Sequence, residues 1–136
     1  MRSRIISGVC AAIVVAAFPS TINAAASQVT VTMDAVSSSG QTGTAKFSRI
    51  GGDYITVAIN IAGEPSGAKE PAMIHAGSCS DKKPVPKVTL NPVVKGKSIT
   101  TQTGPTLSPG AYAIMVHKDT GAGMNTIVSC GEFELQ

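Results

Sequence analysis

Short runs in which apolar and polar residues alternate are the feature that most limits how this chain can fold. The clearest run is Tyr54–Ala62, whose apolar residues recur at every second position: Ile55, Val57, Ile59 and Ile61. Because side chains two residues apart share one face of a strand, this run predicts a strand with one buried face. Beyond residue 26, glycine and proline interrupt the chain throughout, and no segment has convincing helical periodicity. The pattern predicts an all-β domain.

Further runs of the same kind predict strands on both sides of this one. Gln28–Met33 and Gly43–Ile50 precede it, and the turn Gly51–Asp53 predicts a hairpin with the second of them. Later strands are predicted from Pro71 onward and at Ser98–Thr103, Ala111–Lys118 and Asn125–Leu135. The lysine- and proline-rich stretch between Gly77 and Lys97 is interpreted as a long surface loop with a turn at Asn91–Pro92. Seven or eight short strands predict an immunoglobulin-like Greek-key β-sandwich or barrel.

Residues 1–26 have the pattern of a cleaved secretory signal peptide. Arg2 and Arg4 precede an apolar run that is too short to span a bilayer, and small residues follow it. Cys10 lies within the apolar run and is expected to be removed with it; an uncleaved anchor is the alternative. We therefore expect residues 27–136 to form one exported domain, periplasmic or secreted, that does not insert into a membrane.

The charge of the chain argues against some classes of partner. It carries 11 Lys and Arg against 8 Asp and Glu. Without Arg2 and Arg4, nine basic residues face eight acidic ones, so most of the basic excess disappears. With no arginine cluster and no aromatic stacking stripe, nucleic acid and anionic membrane are poor candidates for a partner. The lysines between Gly77 and Lys97 have two interpretations, a solvated loop or a cationic rim that draws anions toward a nearby site.

Two cysteines remain after cleavage, Cys79 and Cys130. An even number of cysteines in an exported domain favours a structural disulfide. Such a bond would close a loop of about fifty residues and contribute roughly 3 to 4 kcal/mol by chain-entropy reasoning. A cysteine metal site is the alternative, but the sequence has no Cys-x-x-Cys or Cys-x-x-His spacing to support it.

Two Met-x-His triplets contain both histidines of the chain. In a strand, Met73 and His75 share one face, and so do Met115 and His117. If the branched and aromatic residues between them form the core face, both pairs stand outside the core and can meet across neighbouring strands. This arrangement predicts a metal site. The alternative is that the methionines fill space and that two histidines on a half-exposed sheet bind nothing.

Five short motifs, taken in chain order, resemble landmarks of the copper/zinc superoxide dismutases: Gly43–Phe47, Met73–His75, Leu90–Pro92, Val116–His117 and Cys130–Gly131. The resemblance covers most of the chain beyond the signal peptide. It implies a Greek-key β-sandwich and a disulfide that ties the long loop to the last strand.

The resemblance carries over to only part of the family's metal site. His75 falls on the second histidine of the family's copper-binding His-x-His strand, and His117 falls on the later copper histidine. Met73 and Thr89 stand where the family has its first copper histidine and its metal-bridging histidine. Ile127 stands where the family has the arginine that guides superoxide. No histidine remains for the zinc ligands, so no zinc is expected.

These departures leave three functional hypotheses. The first is an exported copper-binding module that favours Cu(I) and has no catalytic residue, in which Met73 and Met115 assist His75 and His117. A metal ion or a copper-handling protein is then its partner. The second is a metal-free structural or interaction domain, similar to a chordin-type repeat. The third is a superoxide dismutase. It is disfavoured because dismutation needs a site that suits both oxidation states of copper, whereas thioether ligands favour Cu(I).

Overall fold

A computed structural model describes residues 27–50, 54–104, 107–119 and 125–136. The predicted signal peptide and the predicted turn at 51–53 lie outside the described residues. The described strands are β1 (Ser27–Ala35), β2 (Thr42–Arg49), β3 (Tyr54–Ala62), β4 (Lys69–Ala76), β5 (Val85–Val94), β6 (Lys97–Thr103), β7 (Gly110–His117) and β8 (Ile127–Leu135). Within these ranges we find no helix with the length and apolar character that crossing a bilayer requires.

The eight strands close into one antiparallel barrel in the order β1-β2-β3-β6-β5-β4-β7-β8. Two of the joins are short: among the described residues, β5 pairs with β6 only at Val94 and Lys97, and β1 pairs with β8 only at Asp34 and Ala35. The all-β prediction is therefore confirmed, and the two sheets of a sandwich are joined into a barrel. For the candidate site, the decisive pairing is β4 with β7, which makes the two Met-x-His strands direct neighbours.

Alternate residues of every strand fill the inside of the barrel. The four apolar residues that the sequence places on one face of β3 are all buried there. The aromatic rings of Phe47 and Phe133 lie 5.1 Å apart, and Tyr112 stacks on Phe133 at 5.8 Å. The hydroxyl of Tyr112 donates a hydrogen bond to the Ser108 carbonyl at 2.8 Å, which satisfies its polar end.

The prediction of one long surface loop between Gly77 and Lys97 is wrong, because residues 85–94 form β5. Val88, Leu90 and Val93 are buried in the barrel core. Lysine and proline dominated the composition of this stretch, although Val88 and Leu90 already alternate with polar residues as a strand requires. The remainder of the stretch is residues 77–84 before β5 and the two-residue turn Lys95–Gly96 after it.

The predicted turn at Asn91–Pro92 is also wrong, because both residues lie inside β5. Glu70 pairs with Val93 and Ala72 pairs with Leu90, so β5 contains one more residue than β4 between these pairs. This is a β-bulge, one of the few places in a sheet that tolerates proline. Asn91 fixes the bulge by donating from its side-chain amide to the Ile99 carbonyl at 2.8 Å.

A disulfide between Cys79 and Cys130 confirms the predicted pairing, with a sequence separation of 51. It attaches the segment 77–84, which we call the Cys79 segment, to β8. Two further contacts hold the segment: Gly77 N–H donates to the Ala111 carbonyl at 2.9 Å, and Cys79 N–H donates to a Glu132 carboxylate oxygen at 2.7 Å. The Cys79 segment is therefore fixed against the outer surface of the barrel.

Candidate metal centre

The register of β4 and β7 places the two methionines opposite each other. Met73 pairs with Met115, while Ile74 pairs with Ile114 and belongs to the barrel core. Met115 belongs to a separate apolar cluster outside the barrel core. The Met-x-His residues therefore lie on the outer face of the barrel, as the alternation of the sequence indicates.

Each histidine lies at a register shift between its strand and a neighbouring strand. The pairing of β4 with β5 shifts between Ile74 and His75, and the pairing of β7 with β8 shifts between Val116 and His117. The extra residue lies in the neighbouring strand in both cases, in β5 and in β8. Irregularities of this kind are over-represented beside functional sites.

The two imidazole rings lie close together although their backbones do not pair. His75 stands opposite Ala113 in the register, four positions from His117 along β7, yet the ring centroids are 5.6 Å apart. Two imidazoles that bind one ion at a metal–nitrogen distance of about 2.0 Å have ring centroids no more than about 6 Å apart. The observed separation is therefore compatible with a shared ion.

Both rings are buried even though they lie outside the barrel core. The exposed fraction is 4% for His75 and 5% for His117. They line a cavity of about 540 Å³ that Met73 also lines. Its other walls come from the Cys79 segment, the start of β5 and the residues around the start of β8: Asp81, Lys82, Lys83, Pro84, Pro86, Asn125 and Ile127. The covering segment converts an outward-facing pair of histidines into an enclosed one.

Burial determines the protonation of His75. It lowers the pKa of this imidazole below the ordinary value of 6.5, and the neighbouring His117 lowers it further, while the Pro84 carbonyl partly offsets both effects. Neither ring nitrogen of His75 has a hydrogen-bond partner among the described residues, so the Pro84 carbonyl lies outside hydrogen-bonding geometry. The neutral imidazole that results is the form that binds metal ions.

The two methionines of the predicted site differ in their surroundings. Met73 is half-buried and lines the histidine cavity. Met115 is completely buried against Ala113 and Cys130, with Cys79 packed beside them, and it is not part of the cavity wall. The structure therefore brings His75, His117 and Met73 together, while the coordination of an ion by Met115 stays a prediction.

The donor set of the cavity is small. Among the described ranges, no group of three or more His, Cys, Asp or Glu side chains is arranged to hold a metal ion. Two imidazoles and one thioether are thus the candidate ligands, and the thioether gives the set a soft character.

Sequence reasoning missed some residues around the site. The cavity wall includes Asp81 and Pro84, and their position next to Cys79 in the sequence was the available signal. Lys82 and Lys83 also line it, which supports the interpretation of the lysines as a cationic rim. Thr89 pairs with Met73 across β4 and β5, and both residues line a second groove of about 630 Å³ beside the cavity.

Comparisons of the chain with protein-family models, curated proteins and solved structures give no match. The fold and the site define a disulfide-bonded, eight-stranded antiparallel barrel with an enclosed histidine pair on its outer face. The resemblance to the copper/zinc superoxide dismutases rests on the sequence motifs given above and enters the functional proposal on that basis.

Proposed function

We propose that this protein is an exported copper-binding module that favours Cu(I), with His75, His117 and Met73 as its ligands. The observation that carries the proposal is the convergence of two buried imidazoles, 5.6 Å apart, on a cavity that a thioether also lines. Sulfur ligands of the thioether type select Cu(I), and imidazole binds copper in either state. The neutral state of His75 removes the need to displace a proton when the ion binds.

Superoxide dismutase-like ancestry forms part of the proposal. Strands β4 to β7 lie in the spatial order β7-β4-β5-β6, and this order supports the proposal of a Greek key. The disulfide joins the segment before β5 to the last strand, as the resemblance implies. Together with the five sequence motifs, these features support a Greek-key barrel of the superoxide dismutase type whose metal site has been reduced.

We do not assign dismutase activity to the site. Thr89, which pairs with Met73, stands where the resemblance places the metal-bridging histidine. Ile127 lines the cavity where the resemblance places the guiding arginine. A site that holds Cu(I) through a thioether is suited to storing or passing the ion, because dismutation requires a site that suits both oxidation states. A copper-handling protein is the corresponding partner.

A metal-free structural role is the second candidate, and one observation favours it. Met115 fills space against the disulfide, as methionine commonly does in apolar clusters, and this explains one of the two Met-x-His triplets without a metal. His75 is not explained in this way, because its two buried ring nitrogens have no hydrogen-bond partner among the described residues, and such atoms destabilise a fold that has no use for them.

Anaerobic titration of the oxidised protein with Cu(I) against a competing chelator tests the proposal. We expect one tightly bound Cu(I) per chain in the wild type and in Thr101→Ala, a control variant whose exposed site lies on β6, away from the cavity. His75→Ala and His117→Ala should each bind much more weakly. Wild-type protein that does not compete with the chelator, or histidine variants with wild-type affinity, would leave the structural role as the better account.

A further inference from the structure

A second buried polar site lies at the barrel end where β2 and β4 begin. Gln41 and Glu70 are 2% and 1% exposed, and the Gln41 amide Nε2 donates to Glu70 Oε1 at 2.8 Å. Glu70 shares the inward face of β4 with Ala72 and Ile74, so its carboxyl group closes the end of an apolar interior. A carboxyl group in such a place needs polar partners, because burial without them is unfavourable.

The pair leaves two oxygen atoms unsatisfied. Gln41 Oε1 and Glu70 Oε2 are buried and have no hydrogen-bond donor among the residues that the structure describes. Both residues line a cavity of about 270 Å³, together with Ser39, Lys118 and Thr126. One water molecule needs only about 10 to 15 Å³ of such volume, so the cavity has room for a small organic group. Its walls thus offer acceptors that lack donors.

The Ser39 hydroxyl does not satisfy these oxygens. It donates to the Val128 carbonyl and accepts from the Gln41 N–H at 3.1 Å, so its hydrogen-bonding capacity is directed to the backbone. The free acceptors of the cavity are therefore side-chain oxygens of Gln41 and Glu70.

Two carboxylates act on Glu70. Burial raises the pKa of the Glu70 carboxyl above the ordinary value of 4.5, the hydrogen bond from Gln41 lowers it, and the carboxylates of Glu64 and Asp119 raise it again. Lys118 also lines the cavity, but it donates no hydrogen bond to either unsatisfied oxygen. A ligand that brings positive charge and N–H donors would compensate both the repulsion and the missing hydrogen bonds.

A metal ion fits this place poorly. Within the described part of the chain, the neighbouring carboxylates do not form a group of three that could share an ion. A calcium ion takes six to eight oxygen ligands, and magnesium requires a near-octahedral set. An ammonium group needs only two or three acceptors and brings its own donors, which is what Gln41 and Glu70 can satisfy.

We propose that the Gln41–Glu70 cavity binds a small organic molecule through a primary ammonium group. The ammonium N–H groups donate to Glu70 Oε2 and Gln41 Oε1, and the rest of the ligand occupies the cavity between Ser39 and Thr126. The site is separate from the histidine cavity, with which it shares no lining residue, and it does not depend on copper binding.

Two-dimensional ¹H–¹⁵N NMR titration of the oxidised protein with ethylammonium chloride tests this proposal. Sodium chloride at the same ionic strength controls for screening, and tetramethylammonium chloride controls for charge without N–H donors. We expect saturable shifts at the backbone amides of Gln41, Glu70 and Thr126 with ethylammonium alone. Shifts that do not saturate, or that the two control salts reproduce, would overturn the proposal and indicate a cavity that holds only water.

Matched variants locate the effect. Glu70→Gln keeps the shape of the side chain and removes its charge, so we expect an apparent Kd at least about tenfold higher. Glu134→Gln, an exposed change on β8, should leave the Kd unchanged. Gln41→Met removes the second acceptor at similar length and should also weaken binding, which keeps the test decisive if Glu70→Gln does not fold. A wild-type Kd in the folded cavity variants would refute the assignment.

Discussion

The two Met-x-His segments have the same spacing and lie on neighbouring strands, yet their methionines have different surroundings. Met73 is half-buried and lines the histidine cavity, whereas Met115 is completely buried against the disulfide. The difference comes from the neighbouring strand, because β8 places Cys130 directly opposite Met115 while β5 places Thr89 opposite Met73. Spacing in the sequence therefore determines which face of the strand a side chain lies on. The residue paired with it on the neighbouring strand determines whether it is packed away or lines a cavity.

The histidines of the two segments, in contrast, reach similar positions from different strands. Each lies at a register shift, and each ring is buried beneath the Cys79 segment or its neighbours. We thus assign coordination to three of the four Met-x-His side chains and packing to the fourth.

The largest effect is expected from removal of the disulfide, against which Met115 packs. Cys79→Ser together with Cys130→Ser should lower the free energy of unfolding by about 4 kcal/mol, because the unfolded chain regains the freedom of a long loop. Denaturant unfolding measures the change. A loss below about 1 kcal/mol would show that the Cys79 segment is held mainly by its backbone contacts.

Truncation of the two methionines should give opposite results. Met115→Ala should cost about 3 kcal/mol of stability, as cavities in buried apolar clusters do, and Met73→Ala less than about 1 kcal/mol. For Cu(I) affinity the order should reverse, with roughly tenfold weakening on loss of the Met73 thioether. Parallel unfolding and chelator-competition experiments on both variants measure these effects, and equal effects on affinity would remove the distinction that we draw.

Loss of either imidazole should weaken Cu(I) binding more than loss of Met73. His75→Ala and His117→Ala should each lower the affinity by at least about 100-fold, since changes to groups that merely orient ligands already cost 10- to 100-fold. Chelator competition quantifies this loss. If only one of the two variants is impaired, the ion is not shared between the rings.

The smallest effect concerns the pH dependence of the metal-free protein. The folded-state pKa of His75 lies below its unfolded value of 6.5, so the unfolded chain binds more protons as the pH falls through this window. The contribution of His75 to stability is therefore present above about pH 6.5 and decreases on acidification. Denaturant unfolding between pH 7.5 and 5, compared between wild type and His75→Gln, should show a smaller decrease in the variant.

The comparison with the non-titrating variant is needed because other groups titrate as well. The raised pKa of Glu70 acts in the opposite direction: its contribution is fully present below about pH 4.5 and decreases as the pH rises through the folded-state pKa. The difference between wild type and His75→Gln isolates the histidine. Equal slopes in the two proteins would mean that burial does not shift this imidazole.

Local pattern was sufficient to predict much of the fold. β3 followed from strict alternation of branched residues, and the outward direction of His75 and Met73 followed from the same period of two. β5 was missed because the lysines and prolines outweighed the alternation of Val88 and Leu90. A bulge that accommodates Pro92 cannot be inferred from composition, since it depends on the pairing partner in β4.

The enclosure of the site could not be predicted from local pattern. The histidines are buried beneath the Cys79 segment, which directly follows β4 and which the disulfide fixes to β8; a link between positions 51 apart leaves no periodic signal. Glu70 was also missed, although a signal existed: it has the same parity as Ala72 and Ile74, so alternation places its carboxyl group inside the barrel. Its partner Gln41 comes from a different strand region, and only the fold brings the two together.

X-ray absorption spectroscopy of the Cu(I)-loaded protein tests the central assignment most directly. The account predicts imidazole scattering together with one sulfur in the wild type. The sulfur should disappear in Met73→Leu and persist in Met115→Leu, because Met73 lines the histidine cavity and Met115 does not. A sulfur ligand that survives in Met73→Leu, or copper bound without imidazole, would contradict the account.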